Sequence, residues 1–175
     1  MLPTASTVTT TPLIADDLIH KSIVRAVQNV CSTMLKQEAG FVEKTSEPNR
    51  ERFKEQKHVF GCVGFLGKID GMVYLCISDD FAVNAASRIL GISTSEVRAE
   101  GDAVIKDVIG EITNMTVGGF KNALCDQGFT CKLTLPTIVR GENLAVSAMK
   151  SATRQIFHFD CDGHRLIADI QIKLG

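Results

Sequence analysis

The sequence predicts an α+β fold in which two long amphipathic helices pack on a β-sheet, arranged as two pseudo-symmetric helix-plus-strands halves. Three observations predict it. Residues 14–38 and 93–126 carry apolar residues at helical spacing. The remainder is mostly strand-like apolar runs separated by Gly- and Asp-containing turns. And one phrase recurs: Gly40-Phe-x-x-Lys-x-Ser-x-Pro48 follows the first long helix, and Gly128-Phe-x-x-Lys-x-Thr-x-Pro136 follows the second. Four identities fall in register at an offset of 88 residues, too long a period for a solenoid.

Composition sets the outer bounds. The chain has 175 residues, 45% of them hydrophobic, enough for one domain with a sizeable core. A net charge of −1 gives no electrostatic case for nucleic acid or an anionic membrane. No run approaches 18 apolar residues, so no transmembrane helix is expected. Residues 1–13 are rich in Thr and Ser, without a basic or apolar leader region. They are expected to be a disordered tail ahead of a single domain at 14–175. The six cysteines form no CxxC pair, which suits free thiols in a reducing cytoplasm.

The first helix, about Ile14 to Glu38, turns Leu18, Ile23, Val27, Val30, Met34 and Leu35 to one side. A charged, solvated loop is expected from Glu43 through Lys57. Val59–Leu66 and Met72–Ser78 read as a hairpin turning at Lys68-Ile-Asp-Gly71. Asp79 or Asp80 would cap a short helix ending at Gly91, and its Phe81, Val83, Ala86, Ile89 and Leu90 read as core. Ser93-Thr-Ser-Glu96 has capping-box spacing and would open the second long helix, to about Asp126. Four strands follow, at 129–139, 144–149, 154–160 and 165–173, the last two joined at Asp162-Gly163. The last strand has an apolar rhythm that could add to a partner's sheet edge in a dimer.

The second long helix carries the chemistry. At about 100° per residue, Asp107, Gly110, Glu111, Asn114, Gly118 and Lys121 share one wedge. Val104, Ile105, Val108, Ile109, Ile112 and Met115 lie opposite. Each interior glycine costs about 1 kcal/mol of helix propensity against alanine. Gly110 and Gly118 bracket the Glu/Asn pair, so another surface could come close there. Glu111 and Asn114 could equally be a plain solvated helix face, and Gly118-Gly119 could serve helix–helix packing. At the offset of 88, the first helix has Ile19, Ile23 and Ala26 in place of Asp107, Glu111 and Asn114. The polar triplet thus exists in one half alone, as a single working site would predict.

Asp-x3-Glu-x2-Asn followed some two dozen residues later by Pro, here Asp107, Glu111, Asn114 and Pro136, resembles the signature of the CheC/CheX/FliY chemotaxis phosphatases. One copy of the motif is similar to the CheX type. The resemblance implies a CheC-like fold and a stand-alone protein, often a homodimer, that dephosphorylates a CheY-like response regulator. It implies Asn114 and Glu111 as catalytic residues: the amide orients the attacking water, and the carboxylate docks on the receiver's lysine. Asp107, Pro136, Gly110 and Gly118 complete or support the motif, with no direct chemistry assigned to Asp107 or Pro136. Asp107 could hold Lys121 or a neighbouring helix; Pro136 could fix a strand edge. No metal or cofactor of its own is expected, because Mg²⁺ belongs to the receiver. The competing readings are a non-catalytic receiver-binding module and a small-molecule-binding domain.

Two further patterns are weak. Ser147-x-x-Lys150 matches a serine-acylase pattern without its companion motifs. His158-x2-Cys161-x2-His164 has metal-like spacing, but strand alternation puts His158 and Cys161 on opposite faces.

Overall fold

The computed structural model describes residues 14–48 and 56–174, so the expected N-terminal tail at 1–13 lies outside the described residues, as does the centre of the expected charged loop. Eleven helices and strands follow in order: α1 (Asp16–Val30), β1 (Ala39–Thr45), β2 (Lys57–Gly67), β3 (Ile69–Ser78), α2 (Asp79–Leu90), α3 (Thr94–Glu100), α4 (Asp102–Asp126), β4 (Cys131–Leu133), β5 (Thr137–Glu142), β6 (Thr153–Cys161) and β7 (His164–Leu174). Between α1 and β1 the chain makes a π-helical turn, Cys31–Leu35.

The strands form one antiparallel sheet in the order β1-β6-β7-β3-β2-β4, with β5 also paired to β2. Exchanging β1 with β4, β6 with β2 and β7 with β3 leaves this order unchanged, which is the topology of two related halves joined along β3 and β7. Strand alternation sends Val59, Val63, Phe65, Val73, Leu75, Phe157, Phe159, Ala168 and Ile170 into the main core. There they meet Ile19, Ile23 and Val27 of α1 and Ile105, Ile109, Ile112 and Phe120 of α4. Phe65 and Phe120 pack edge to face at 6.4 Å.

The halves are real, but their register is not the one the repeated phrase suggests. The left-handed residue that stops the first helical segment is Lys36 (φ 54°), and its counterpart after α4 is Gly128 (φ 89°). These stand 92 residues apart, as do the starts of β1 and β4, Ala39 and Cys131. Gly40, which the phrase aligned with Gly128, is instead an extended residue of β1 paired with Asp160. The four identities are therefore one helical turn out of structural register.

Other expectations also shift for local reasons. The expected loop begins later, because Glu43 to Thr45 still pair with β6. Ser78, not Asp79 or Asp80, caps α2, its hydroxyl accepting from Phe81 N. The capping box at Ser93 and Glu96 forms, yet it opens the seven-residue α3. Gly101 (φ 93°, ψ −166°) breaks the chain before α4 starts. The expected strand 129–139 is split into β4 and β5 by a bend at Thr134–Pro136. The run 144–149 is no strand: Gln171 takes the Met149 amide and donates to Ser147 O, and Arg154 donates to Val146 O. These side chains strap the run onto the far sheet face, over a small cluster of Phe60, Cys76, Ile156 and Ile167. Finally, β7 lies between β6 and β3, so edge addition by that strand is ruled out.

α4 seats closely on β2 at Gly61. A methyl group on Gly61 would collide with the Thr113 hydroxyl and lie 2.9 Å from Thr113 Cβ. Thr113 is fully buried and its hydroxyl donates to Ile109 O at 2.6 Å, so it cannot swing away without stranding a polar group. Gly61→Ala is expected to lower stability by about 1–3 kcal/mol through overpacking. The cost should shrink in a Thr113→Ala background; equal costs in both backgrounds, read from urea unfolding, would refute the contact.

Candidate active site

The site is a face of α4. Asp107, Glu111 and Asn114 are all exposed on it, while Val108, Ile109, Ile112 and Thr113 between them are buried. Among the described residues, none of the three makes a side-chain hydrogen bond or ion pair. Lys121 does not reach Asp107; its ammonium meets Asn122 Oδ1 at 3.3 Å. The two lie roughly 21 Å apart along the helix axis.

The glycines divide into two kinds. Gly110 is buried, and a methyl there would touch Ile138 of β5 at 3.7 Å, an ordinary contact inside the protein. It does not open the surface to a partner. Gly118 does: nothing lies within 4 Å of the position a methyl would take. Gly119 packs against Ala26 of α1, where a methyl would sit 3.4 Å from Ala26 Cβ. Met115, expected on the buried side, is 40% exposed and lies beside Asn114. Met115 falls at the edge of the buried stripe, which continues past it through Val117, Phe120 and Leu124.

Pro136 stands at the bend between β4 and β5. Just before it, Thr134 N donates to Gly64 O and Gly64 N donates to Thr134 Oγ1, both at 2.9 Å. Just after it, Thr137 and Ile138 pair with Cys62 and Gly61. Proline, with no amide hydrogen to leave unpaired, suits that bend. The strand it starts covers Gly110 through Ile138, so Pro136 belongs to the support of the site.

One group with no signal in the residue pattern holds the start of α4. Arg140 of β5 is nearly buried and donates through Nε and Nη2 to both oxygens of Asp79, the second at 3.0 Å. Its Nη1 reaches Asp102 Oδ1 at 2.9 Å. Asp79 and Asp102 occupy the first turns of α2 and α4, where carboxylates are favoured. Arg140 thus ties both helix starts to β5. Burial opposes ionisation of Asp79, but Arg140, with Lys57 and Arg98, outweighs it and holds the carboxyl below its ordinary value. Lys106 and then Arg140 do the same for Asp102.

With this geometry in view, the sequence profile of the family described as chemotaxis phosphatase CheX matches residues 59–160, more than half of the chain. The chain belongs to the CheX family. No curated protein sequence matches it significantly. Among solved structures, the chemotaxis protein CheX from Vibrio vulnificus is 22% identical with a TM-score of 0.76, covering 89% of this chain and 99% of its own. A CheC-like superfamily protein from Shewanella sp. PV-4 is 21% identical with a TM-score of 0.78, covering 91% and 99%. A CheX–CheY–BeF3–Mg²⁺ complex from Borrelia burgdorferi matches at 21% identity and a TM-score of 0.71, covering 89% and 97%. At these identities the structures share the fold.

The remaining motifs do not converge in this CheX-family chain. His158 Nε2 lies 3.2 Å from Thr45 Oγ1, Cys161 is buried against Cys31, and His164 stacks on Phe81. Among the described residues, no three His, Cys, Asp or Glu side chains could hold a metal ion, and no helix is long and apolar enough to cross a membrane.

Both Asp79 and Asp102 titrate lower in the folded than in the unfolded chain. Their contribution to stability is therefore complete above about pH 4 and is lost as pH falls through the depressed folded values. Asp79→Asn should be less stable than the parent at pH 7, and the gap should narrow below about pH 4. A gap in urea midpoint that stays constant from pH 7 to pH 3 would refute this linkage.

Proposed function

We propose that this protein hydrolyses the aspartyl phosphate of a CheY-like receiver by placing the attacking water. The observation that carries the reading is the Asn114 amide: exposed, without a partner among the described residues, and one turn from the equally exposed Glu111. The family description and the complex of a related CheX with CheY support a receiver as the substrate.

The chemistry needed is small. Water oxygen bonds to phosphorus in line as the bond to the aspartyl oxygen breaks, leaving a free carboxylate and inorganic phosphate. Such transfers respond mainly to positioning and charge stabilisation. Mg²⁺ and a lysine are contributed by the receiver. A carboxamide can accept a hydrogen bond from water and donate one to it without titrating, so Asn114 can fix the water's position across physiological pH. Glu111 makes a charge-assisted bond to the receiver's lysine and sets the docking register. Asp107 adds a second negative charge along the same face.

Decay of a phosphorylated receiver, followed with and without the protein, tests the reading. The parent should accelerate decay by about 10²-fold, or roughly 3 kcal/mol. Asn114→Ala should abolish the acceleration while shifting stability by less than about 0.5 kcal/mol, as an exposed substitution does. Glu111→Ala should raise the receiver concentration needed for half-maximal rate by about tenfold. Equal rates for the parent and Asn114→Ala would overturn the assignment. Receiver binding without faster decay would instead make this a non-catalytic interaction module.

A further inference from the structure

Two cysteines that the proposed chemistry does not use come together across the two halves. Cys31 opens the π-helical turn at the end of α1, and Cys161 ends β6. They are 130 residues apart in sequence, yet their sulfur atoms lie 3.7 Å apart. Both are almost fully buried, at 1% and 0% exposure. Single π-turns inside helices recur at functional positions. This one ends at Lys36 in the left-handed conformation, and Gln37 N returns to the Cys31 carbonyl at 3.2 Å.

A surface pocket of about 500 Å³ is lined by Lys36, Gln37, Asp160 and Asp162 among others, neighbours in sequence of the two cysteines, neither of which lines it. Asp160 and Asp162 flank Cys161 on both sides, and Lys36 and Gln37 follow the π-turn directly. Gln37 Nε2 donates to Asp162 Oδ2 at 3.2 Å, linking the end of the π-turn to the β6–β7 turn. Gln37 Oε1 is buried with no hydrogen-bond partner, so little holds that side chain beyond this bond.

We propose that Cys31 and Cys161, with their sulfurs 3.7 Å apart, form a reversible oxidation site, closed into a disulfide by hydrogen peroxide. Cys31 sulfur attacks one peroxide oxygen and the O–O bond breaks. The thiol proton leaves with the other oxygen as water, and Cys31 becomes a sulfenic acid. Cys161 sulfur then displaces the sulfenic oxygen, which departs with the Cys161 proton as a second water. Two thiols and one peroxide give one disulfide and two waters. The hydrogen bond between the two sulfurs lowers the Cys31 thiol against the effect of burial, which favours Cys31 as the attacking sulfur.

The link would staple the end of α1 to the β6–β7 hairpin and restrict a long loop of the unfolded chain. The oxidised protein should unfold roughly 10 °C higher than the reduced one. The test treats the folded, full-length protein with hydrogen peroxide, blocks remaining thiols, digests without reductant and maps the linked peptides by mass spectrometry. A Cys31–Cys161 cross-linked peptide, a fall from six free thiols to four and full reversal by dithiothreitol are expected. Cys125→Ser, outside the pair, should form the same link. Finding both thiols free, Cys31 oxidised alone, another pair joined, or a link that forms only in urea would overturn the proposal. Because the parent protein carries the test, a misfolded Cys31→Ser or Cys161→Ser variant does not weaken it.

Discussion

Everything at the candidate site depends on how closely α4 lies on β2. Gly61 has no side chain, and the Thr113 hydroxyl fills the space one would take. That contact fixes the rotation of α4 about its own axis. With Thr113 turned inward, Asn114 is turned out by about 100°, and Glu111, three residues before it, shares its side. A helix seated on a bulkier residue would stand higher and could roll, and the amide would then lose its defined direction. Thr113 and Thr116 strengthen the arrangement by donating to Ile109 O and Ile112 O, so that polar groups enter the core already paired.

The polar wedge of α4 was legible in the sequence because it depends on helical periodicity alone. So were both hairpins, whose strands alternate and whose turns carry Asp and Gly. What stayed hidden depends on contacts between distant residues. Glu43 to Thr45 look like the start of a charged loop, yet their backbone finds β6, and edge strands tolerate such polarity. Residues 144–149 look like a strand, but Gln171 and Arg154 capture their backbone first. Arg140 gives no sequence signal at all, since Asp79 and Asp102 lie 61 and 38 residues away. Gly110 and Gly118 are identical in sequence terms, and only the position of Ile138 separates an internal contact from an open one.

The repeated phrase shows how a correct conclusion can rest on a wrong alignment. The strand order does have two equivalent halves, yet Gly40 and Gly128 are not counterparts. The π-turn ends the first helical segment on Lys36, a residue with no sequence mark as a helix stop. In the corrected register Ile19 and Ser22 stand where Glu111 and Asn114 do, 92 residues earlier, and both are buried. The asymmetry between halves therefore persists: α1 uses those two positions for core packing, and α4 turns a carboxylate and an amide outward there.

That division of labour fits a site whose other half arrives with a partner. A self-contained active site holds its acids, bases and donors against one another, often at a cost in strain or desolvation. Glu111 and Asn114 show neither feature: both are solvated and unpartnered among the described residues, and they sit on regular helix. Their cost to the free protein is close to nothing, and the entropy of fixing two side chains is met only on docking. The precision has to come from the backbone beneath them. That backbone is held by the close contact of Gly61 with Thr113 and by the ion cluster around Arg140. A rigid helix under free side chains can present an amide to any receiver of matching shape, with discrimination left to the surrounding surface, where Met115 stands exposed beside the open notch at Gly118.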